Sequence, residues 1–89
     1  MAKKLVFSEK FRRDYKKLPK EIQGKFDKQI FLFEKNPSHP SLKIHPLEGT
    51  SKTWEGYVDI HYRFTFEIHE HHYFFRRVGT HDILRKEGK

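Results

Sequence analysis

The segment Tyr62-Arg63-Phe64-Thr65-Phe66-Glu67-Ile68 decides the fold expected of this chain. Large apolar side chains occupy every second position and alternate with arginine, threonine and glutamate, and this period of two predicts a β-strand with one buried face. His69-Glu70-His71 follows as a polar turn, and Tyr73 to Val78 is the predicted partner strand beyond it. The carboxy-terminal half of the chain is therefore expected to centre on an antiparallel hairpin.

Two more strands are predicted upstream of this hairpin. One is Leu42 to Leu47, which Pro46 interrupts, and the other is Thr53 to Ile60, in which apolar residues are again spaced in twos. Before Pro40 the character of the sequence changes, because the apolar residues recur at helical spacing instead. This change places helices in the first half of the chain and strands in the second.

The first half of the chain is predicted to be a short strand and a helical hairpin. Leu5-Val6-Phe7 is the strand, Ser8 is the expected N-cap of the first helix, and Pro19 separates it from a second helix that ends at Asn36. The apolar stripes are Phe11, Tyr15 and Leu18 in the first helix, and Ile22, Phe26, Ile30 and Phe33 in the second. The order β-α-α-β-β-β predicts an α+β fold: an N-terminal strand, a helical hairpin, then a curved, mostly antiparallel sheet of about four strands.

Length and composition restrict the architecture further. A chain of 89 residues is shorter than a typical domain of about 100–150 residues, so residues 1–89 are expected to form one domain. The absence of cysteine excludes disulfides and thiolate metal sites. Aromatic residues make up 16% of the chain, with nine phenylalanines, and this bulk predicts a packed core in place of covalent cross-links.

The charge balance points to a polyanionic partner. Lysine and arginine number 19 against 12 aspartates and glutamates, for a formal net charge of +7, and such an excess favours binding to nucleic acid. Positive charge also serves solubility, or attracts an acidic protein or an anionic membrane surface. No apolar run approaches the roughly 20 residues of a spanning helix. The amino terminus has too short an apolar stretch for a secretory signal, which predicts a cytoplasmic location.

Four motifs in sequence order carry a family resemblance. They are His45-Pro46-Leu47-Glu48-Gly49, then Trp54-Glu55-Gly56-Tyr57-Val58-Asp59-Ile60-His61, then Tyr62-Arg63 before Phe66, and finally Gly79-Thr80-His81-Asp82 with Leu84. Together they resemble the motifs of YafQ-type toxins in the RelE/ParE superfamily, and the similarity runs nearly from end to end. The resemblance implies a RelE-like fold and the toxin of a type II toxin–antitoxin system.

The resemblance also implies an activity and a set of partners. Such a toxin enters the ribosomal A site of a prokaryotic cell, cuts the mRNA there, and is neutralised by a cognate antitoxin protein. The family's cleavage is independent of metals and of other cofactors: the RNA 2′-hydroxyl attacks the adjacent phosphate. This reaction needs a base, an acid and a cation, and histidine and arginine supply these groups near neutral pH.

Carried over by motif, the resemblance assigns catalytic roles to four residues: His45, His61, His81 and Arg63. Lys43, Arg77 and Arg85 are expected to bind the substrate, and Arg12, Arg13, Lys16 and Lys17 to bind the ribosome. Two positions depart from the family pattern. An acidic residue beyond the middle histidine has no clear counterpart, and Arg85 replaces an aromatic residue that stacks on a base.

Each residue also has a purely structural interpretation. His61 would then be a polar strand-edge residue, His45 would hold a turn, and Arg63 would be a solvated surface arginine. A metal site at His69, His71 and His72 is not expected, because a polar turn without acidic or thiolate company is usually only solvated. The alternative functions are a ParE-like inhibitor of DNA gyrase and a non-catalytic RNA-binding module.

Overall fold

Residues 3–49 and 52–82 are described by the computed structural model, and they form two helices, one 3₁₀ turn and five strands. The helices are α1 (Glu9–Lys17) and α2 (Lys20–Lys35), and the 3₁₀ turn is Pro40–Leu42. The strands are β1 (Lys4–Phe7), β2 (His45–Pro46), β3 (Thr53–Tyr57), β4 (Tyr62–Ile68) and β5 (His72–Thr80). Among the described helices, none is long and apolar enough to cross a membrane.

The five strands form one sheet in the order β1-β5-β4-β3-β2. β1 runs parallel to β5, and every other neighbouring pair is antiparallel. A parallel pair requires a crossover, and the helical hairpin between β1 and the rest of the sheet provides it. The predicted α+β fold, with an N-terminal strand, a helical hairpin and a mostly antiparallel sheet, is therefore confirmed.

Ser8 fixes the junction between β1 and α1. As the N-cap, its Oγ accepts a hydrogen bond from the Phe11 N–H at 2.9 Å and donates one to the Arg76 carbonyl at 2.8 Å. The Ser8 N–H donates to the Phe75 carbonyl as well. One residue thus satisfies an otherwise unpaired N–H of the first helical turn and attaches the helix to β5.

The core lies between the helical hairpin and one face of the sheet. Phe64 and Phe66 of β4 and Phe75 of β5 are at most 1% exposed, and Phe33 of α2 meets all three rings at centroid distances of 5.2–6.3 Å. Phe11 of α1 closes the other end of this aromatic cluster. Edge-to-face packing of this kind contributes beyond simple area burial.

Three strand predictions were wrong in detail. Most of the segment predicted as Leu42 to Leu47 is not strand. Leu42 is the last residue of the 3₁₀ turn, and Lys43 adopts a left-handed conformation with φ of 49°. Only His45 and Pro46 pair with β3. β3 ends at Tyr57 instead of Ile60, because the carboxylate of Asp59 organises a turn. On β4, the alternation is incomplete.

β4 departs from the predicted alternation of buried and exposed residues at its centre and at its end. Thr65, on the face expected to be polar, is 0% exposed, whereas Ile68 is 44% exposed. The β4–β5 pairing also shifts between Thr65 and Phe66, where Arg76 is the extra residue on β5. This bulge interrupts the alternation of β5, the strand that carries the extra residue, and single-strand patterns do not reveal it.

Candidate functional site

The sheet register places several predicted site residues on the face opposite the aromatic core. His45 pairs with Glu55, Glu55 with Thr65, and Thr65 with Arg77, so these four residues form a row across β2, β3, β4 and β5. Directly paired residues share a face of the sheet. The next row contains Tyr57, Arg63 and Gly79, about 7 Å away along the strands.

His45 is held by two hydrogen-bonding contacts. Its Nδ1 lies 2.8 Å from the carbonyl oxygen of Lys43, and its Nε2 lies 3.1 Å from Oε1 of Glu55. The histidine side chain is 53% exposed, whereas that of Glu55 is only 6% exposed. An accessible imidazole is therefore backed by a buried carboxylate.

Arg63 is oriented by its own turn and by an aromatic ring. Its Nη1 donates to the carbonyls of Asp59 and Tyr62, and its guanidinium lies over the ring of Tyr57, 4.8 Å from the centroid. The Lys43 ammonium lies 4.4 Å from the centroid of the same ring. Tyr57 thus collects two cations beside His45, an arrangement that suits a phosphate ligand.

Asp59 builds the turn that carries His61. Its Oδ1 accepts from the backbone N–H groups of His61 and Tyr62, and its Oδ2 lies 3.3 Å from Nζ of Lys25 on α2. Burial alone would raise the pKa of Asp59, but the His61 N–H and the Lys25 ammonium outweigh it and hold this pKa below its ordinary value of 3.8. The turn is therefore stabilised by an ionised aspartate.

His61 and His81 meet at the open end of the β4–β5 hairpin, opposite its turn. Beyond the last strand pair, Tyr62 with Thr80, the His81 N–H donates to the His61 carbonyl at 3.4 Å. Both imidazoles are exposed. The fold thus brings His61 and His81 together two residues beyond Arg63 and its partner Gly79, although they are 20 positions apart in the sequence.

The three predicted substrate-binding residues have different positions. Lys43 lies beside His45, over Tyr57. Arg77 belongs to the His45 row, but its guanidinium makes a two-pronged ion pair with Asp14 of α1, at 2.7 and 3.1 Å, and its side chain is 25% exposed. Arg85 lies outside the described residues.

The predicted ribosome-binding residues lie on one exposed helix. Arg12, Arg13, Lys16 and Lys17 are all exposed on α1. Among the ion pairs of the described residues, only Arg13 has a carboxylate partner, Glu9 at 2.8 Å. α1 also carries Asp14, which ties it to β5 through Arg77 and the Val78 N–H. The basic surface is therefore held rigidly beside the sheet.

The histidines of the β4–β5 turn lie apart from this site. His69 contacts Glu67 at 2.8 Å and stacks on His72 with a centroid distance of 4.6 Å. Burial would raise the pKa of Glu67, but Arg76 and His69 hold it below its ordinary value of 4.5. Within residues 3–49 and 52–82, no three histidine, aspartate or glutamate side chains converge as metal ligands would.

Sequence reasoning missed three residues that shape the site: Glu55, Tyr57 and Asp59. Each lies inside the motif from Trp54 to His61, but only the register shows that Glu55 faces His45 and that Tyr57 faces Arg63. The sequence carried no such signal for Glu55, because the spacing of apolar residues in twos places it on the polar face of its strand.

This fold resembles that of solved toxin structures named YafQ, RelE and YoeB/ParE. Over 94% of the chain it superposes on a chain of the E. coli DinJ–YafQ toxin–antitoxin complex, covering 98% of that chain with 21% identity and a TM-score of 0.79. The archaeal RelE–RelB complex from Pyrococcus horikoshii gives 90% and 96% coverage, 15% identity and a TM-score of 0.71. A YoeB/ParE toxin from Agrobacterium tumefaciens gives 88% and 98% coverage, 19% identity and a TM-score of 0.71.

Neither a family model nor a curated protein sequence matches this chain. The resemblance seen in its motifs is thus confirmed at the level of the fold, and the solved structures that share this fold include YafQ, RelE and YoeB toxins.

Proposed function

We propose that this chain is the toxin of a type II toxin–antitoxin system, a metal-independent endoribonuclease that cuts mRNA in the ribosomal A site of a prokaryotic cell. The observation that carries the proposal is the grouping of His45 and Arg63 in adjacent rows of one sheet face, with His61 and His81 at the adjoining hairpin end. The RelE-type fold supports the toxin class, and the net charge of +7 supports an RNA substrate.

The proposed reaction is an internal transesterification of RNA. The 2′-oxygen forms a bond to phosphorus while the bond between phosphorus and the 5′-oxygen breaks, leaving a 2′,3′-cyclic phosphate and a 5′-hydroxyl. One group accepts the proton of the 2′-hydroxyl, a second donates a proton to the leaving 5′-oxygen, and a cation stabilises the phosphorane. The exposed imidazoles suit the two proton transfers, and Arg63 suits the developing charge on phosphate.

Two partners follow from this proposal. The exposed basic residues of α1 would contact ribosomal RNA through phosphates. A cognate antitoxin would neutralise the toxin, as the structures of the DinJ–YafQ and RelE–RelB complexes suggest for this fold. Lys43 beside Tyr57 would contact the mRNA near His45, whereas Arg77 would first have to exchange its partner Asp14.

His81→Ala tests the proposal. Removing this exposed imidazole leaves the core intact, so mRNA cleavage on intact ribosomes in a cell-free system is expected to fall by about 10²–10⁴-fold without loss of stability. His71→Ala is the matched control, because that side chain is 87% exposed in the distant β4–β5 turn, and it should cut like the wild type. Cleavage by His81→Ala within a few-fold of the wild type would refute the assignment.

A DNA supercoiling assay run in parallel separates the alternative function. The A. tumefaciens neighbour is described as a YoeB/ParE toxin, so one fold serves both kinds of toxin. Growth arrest and gyrase inhibition without RNA cleavage would assign this chain to the ParE-like class instead.

A further inference from the structure

Glu55 is a buried carboxylate in a strand where an apolar side chain would be more favourable. The residue is 4% exposed, and its Oε2 has no hydrogen-bond partner among the described residues. Burying a carboxylate is unfavourable unless it is paired and hydrogen-bonded. Among the described residues, its one contact of this kind is Oε1 with Nε2 of His45 at 3.1 Å, so the residue needs an explanation other than stability.

The contacts of His45 determine how protons are placed on the pair. A carbonyl oxygen only accepts hydrogen bonds, so the Nδ1 that lies 2.8 Å from the Lys43 carbonyl must carry a hydrogen. The contact between Nε2 and Oε1 then needs a second proton, on the imidazole or on the carboxyl group.

The backbone around His45 does little to orient its ring. β2 has only two residues, and it begins two positions after Lys43, which is in the left-handed conformation. The imidazole direction is set instead by the two partners of its nitrogen atoms, the Lys43 carbonyl and Glu55. His45 is also the accessible member of the pair, so a substrate would meet Glu55 only through the histidine.

We propose that Glu55 is a positioning residue, which orients the imidazole of His45 for RNA cleavage and shares a proton with it. The proposal rests on the proposed nuclease function. It places Glu55 behind His45, in contact with no substrate atom. The hydrogen-bond partners that orient metal-bound histidines contribute about 10–100-fold, and we expect an effect of the same order for His45.

Two substitutions of Glu55 separate orientation from packing. Leucine fills the buried position without a polar group, whereas glutamine retains a side-chain N–H that donates to Nε2. In single-turnover assays on ribosome-bound mRNA, Glu55→Leu is expected to lower the maximal cleavage rate by about 10–100-fold and to leave the half-saturating toxin concentration unchanged. Glu55→Gln should recover part of that rate. Equal losses of the maximal cleavage rate in the two variants would overturn the proposal. A higher half-saturating toxin concentration with an unchanged maximal rate would overturn it as well.

A double-mutant cycle tests whether Glu55 acts through His45. If it does, Glu55→Leu causes no further loss in a His45→Ala background. Multiplying losses would show that Glu55 acts independently and would overturn the proposal. Glu67→Gln is the matched control, because Glu67 is a less buried carboxylate that contacts His69 of the β4–β5 turn instead of His45. It should cut within two-fold of the wild type.

Nitrogen NMR of the labelled imidazoles tests the pair without reference to cleavage. The ring signals of His45 should change in Glu55→Leu, while those of His61 and His81 remain as in the wild type. Unchanged His45 signals would show that the contact does not exist in solution and would overturn the proposal. A wild-type protein that cuts no RNA would refute the nuclease function, and the NMR result would still report on the pair.

Discussion

Gly56→Ala should destabilise the protein, because the ring of a buried phenylalanine occupies the space for a side chain at this position. A Cβ at Gly56 would lie 2.2 Å from Cζ of Phe64 and 2.6 and 2.7 Å from its two Cε atoms. These separations are far below van der Waals contact, so either the ring or strand β3 must move.

The surrounding rings keep Phe64 in place. It is 0% exposed, and it packs against Phe26, Phe33 and Phe75 at centroid distances of 5.7, 6.3 and 5.8 Å. Forcing an extra methyl group into a packed core costs about 1–3 kcal/mol. For a domain of this size, that loss corresponds to a melting temperature lower by about 5–20 °C.

Gly24→Ala is the matched control, and it is expected to raise the stability that Gly56→Ala lowers. Gly24 is exposed within α2, and a Cβ there meets no atom within 4 Å. Alanine in a helix interior is favoured over glycine by about 0.8–1 kcal/mol, so this variant should melt several degrees above the wild type. Calorimetry or thermal circular dichroism measures both variants. A Gly56→Ala protein that melts with or above the wild type would refute the packing argument.

Two further predictions concern charge. Lys16→Glu with Lys17→Glu should weaken ribosome association and reduce its salt dependence, because phosphate contacts release counterions. The charge-matched control is Lys28→Glu with Lys35→Glu on α2. Equal ribosome binding by the two double mutants would place the contact elsewhere. Asp59→Asn should destabilise the protein at neutral pH and less so in acid. The folded pKa of Asp59 is depressed, so its contribution is complete above the ordinary value of 3.8 and is lost as the pH falls through the folded pKa. A stability difference between mutant and wild type that is the same at pH 7 and near pH 3 would contradict this.

The elements that sequence could predict are those with strong local signals. Phe64 and Phe66 alternate with polar residues, and Ser8 precedes a helical stripe, so the bounds of β4 and the start of α1 were predicted correctly. These signals act within one turn of helix or one strand, and the tertiary structure did not override them. The fold class followed because each local preference agreed with the final packing.

What sequence could not predict depends on contacts between distant residues. Arg77 meets Asp14 across 63 positions, and Thr65 is buried although its strand neighbours Arg63 and Glu67 are only partly so. The bulge at Arg76 sets the β4–β5 register beyond it, and no residue type announces that bulge. The pairing of Glu55 with His45 likewise requires the β2–β3 register to be known.

The histidines of the candidate site all lie where the regular sheet ends. His45 lies two positions after a left-handed residue, in a two-residue strand, His61 sits in the turn that Asp59 organises, and His81 comes directly after β5. The aromatic cluster that stabilises the fold lies on the opposite face, between the sheet and the helices. Because the two sets of residues are separate, truncation of an exposed site histidine should change cleavage before it changes stability, whereas truncation of a core phenylalanine should affect both together.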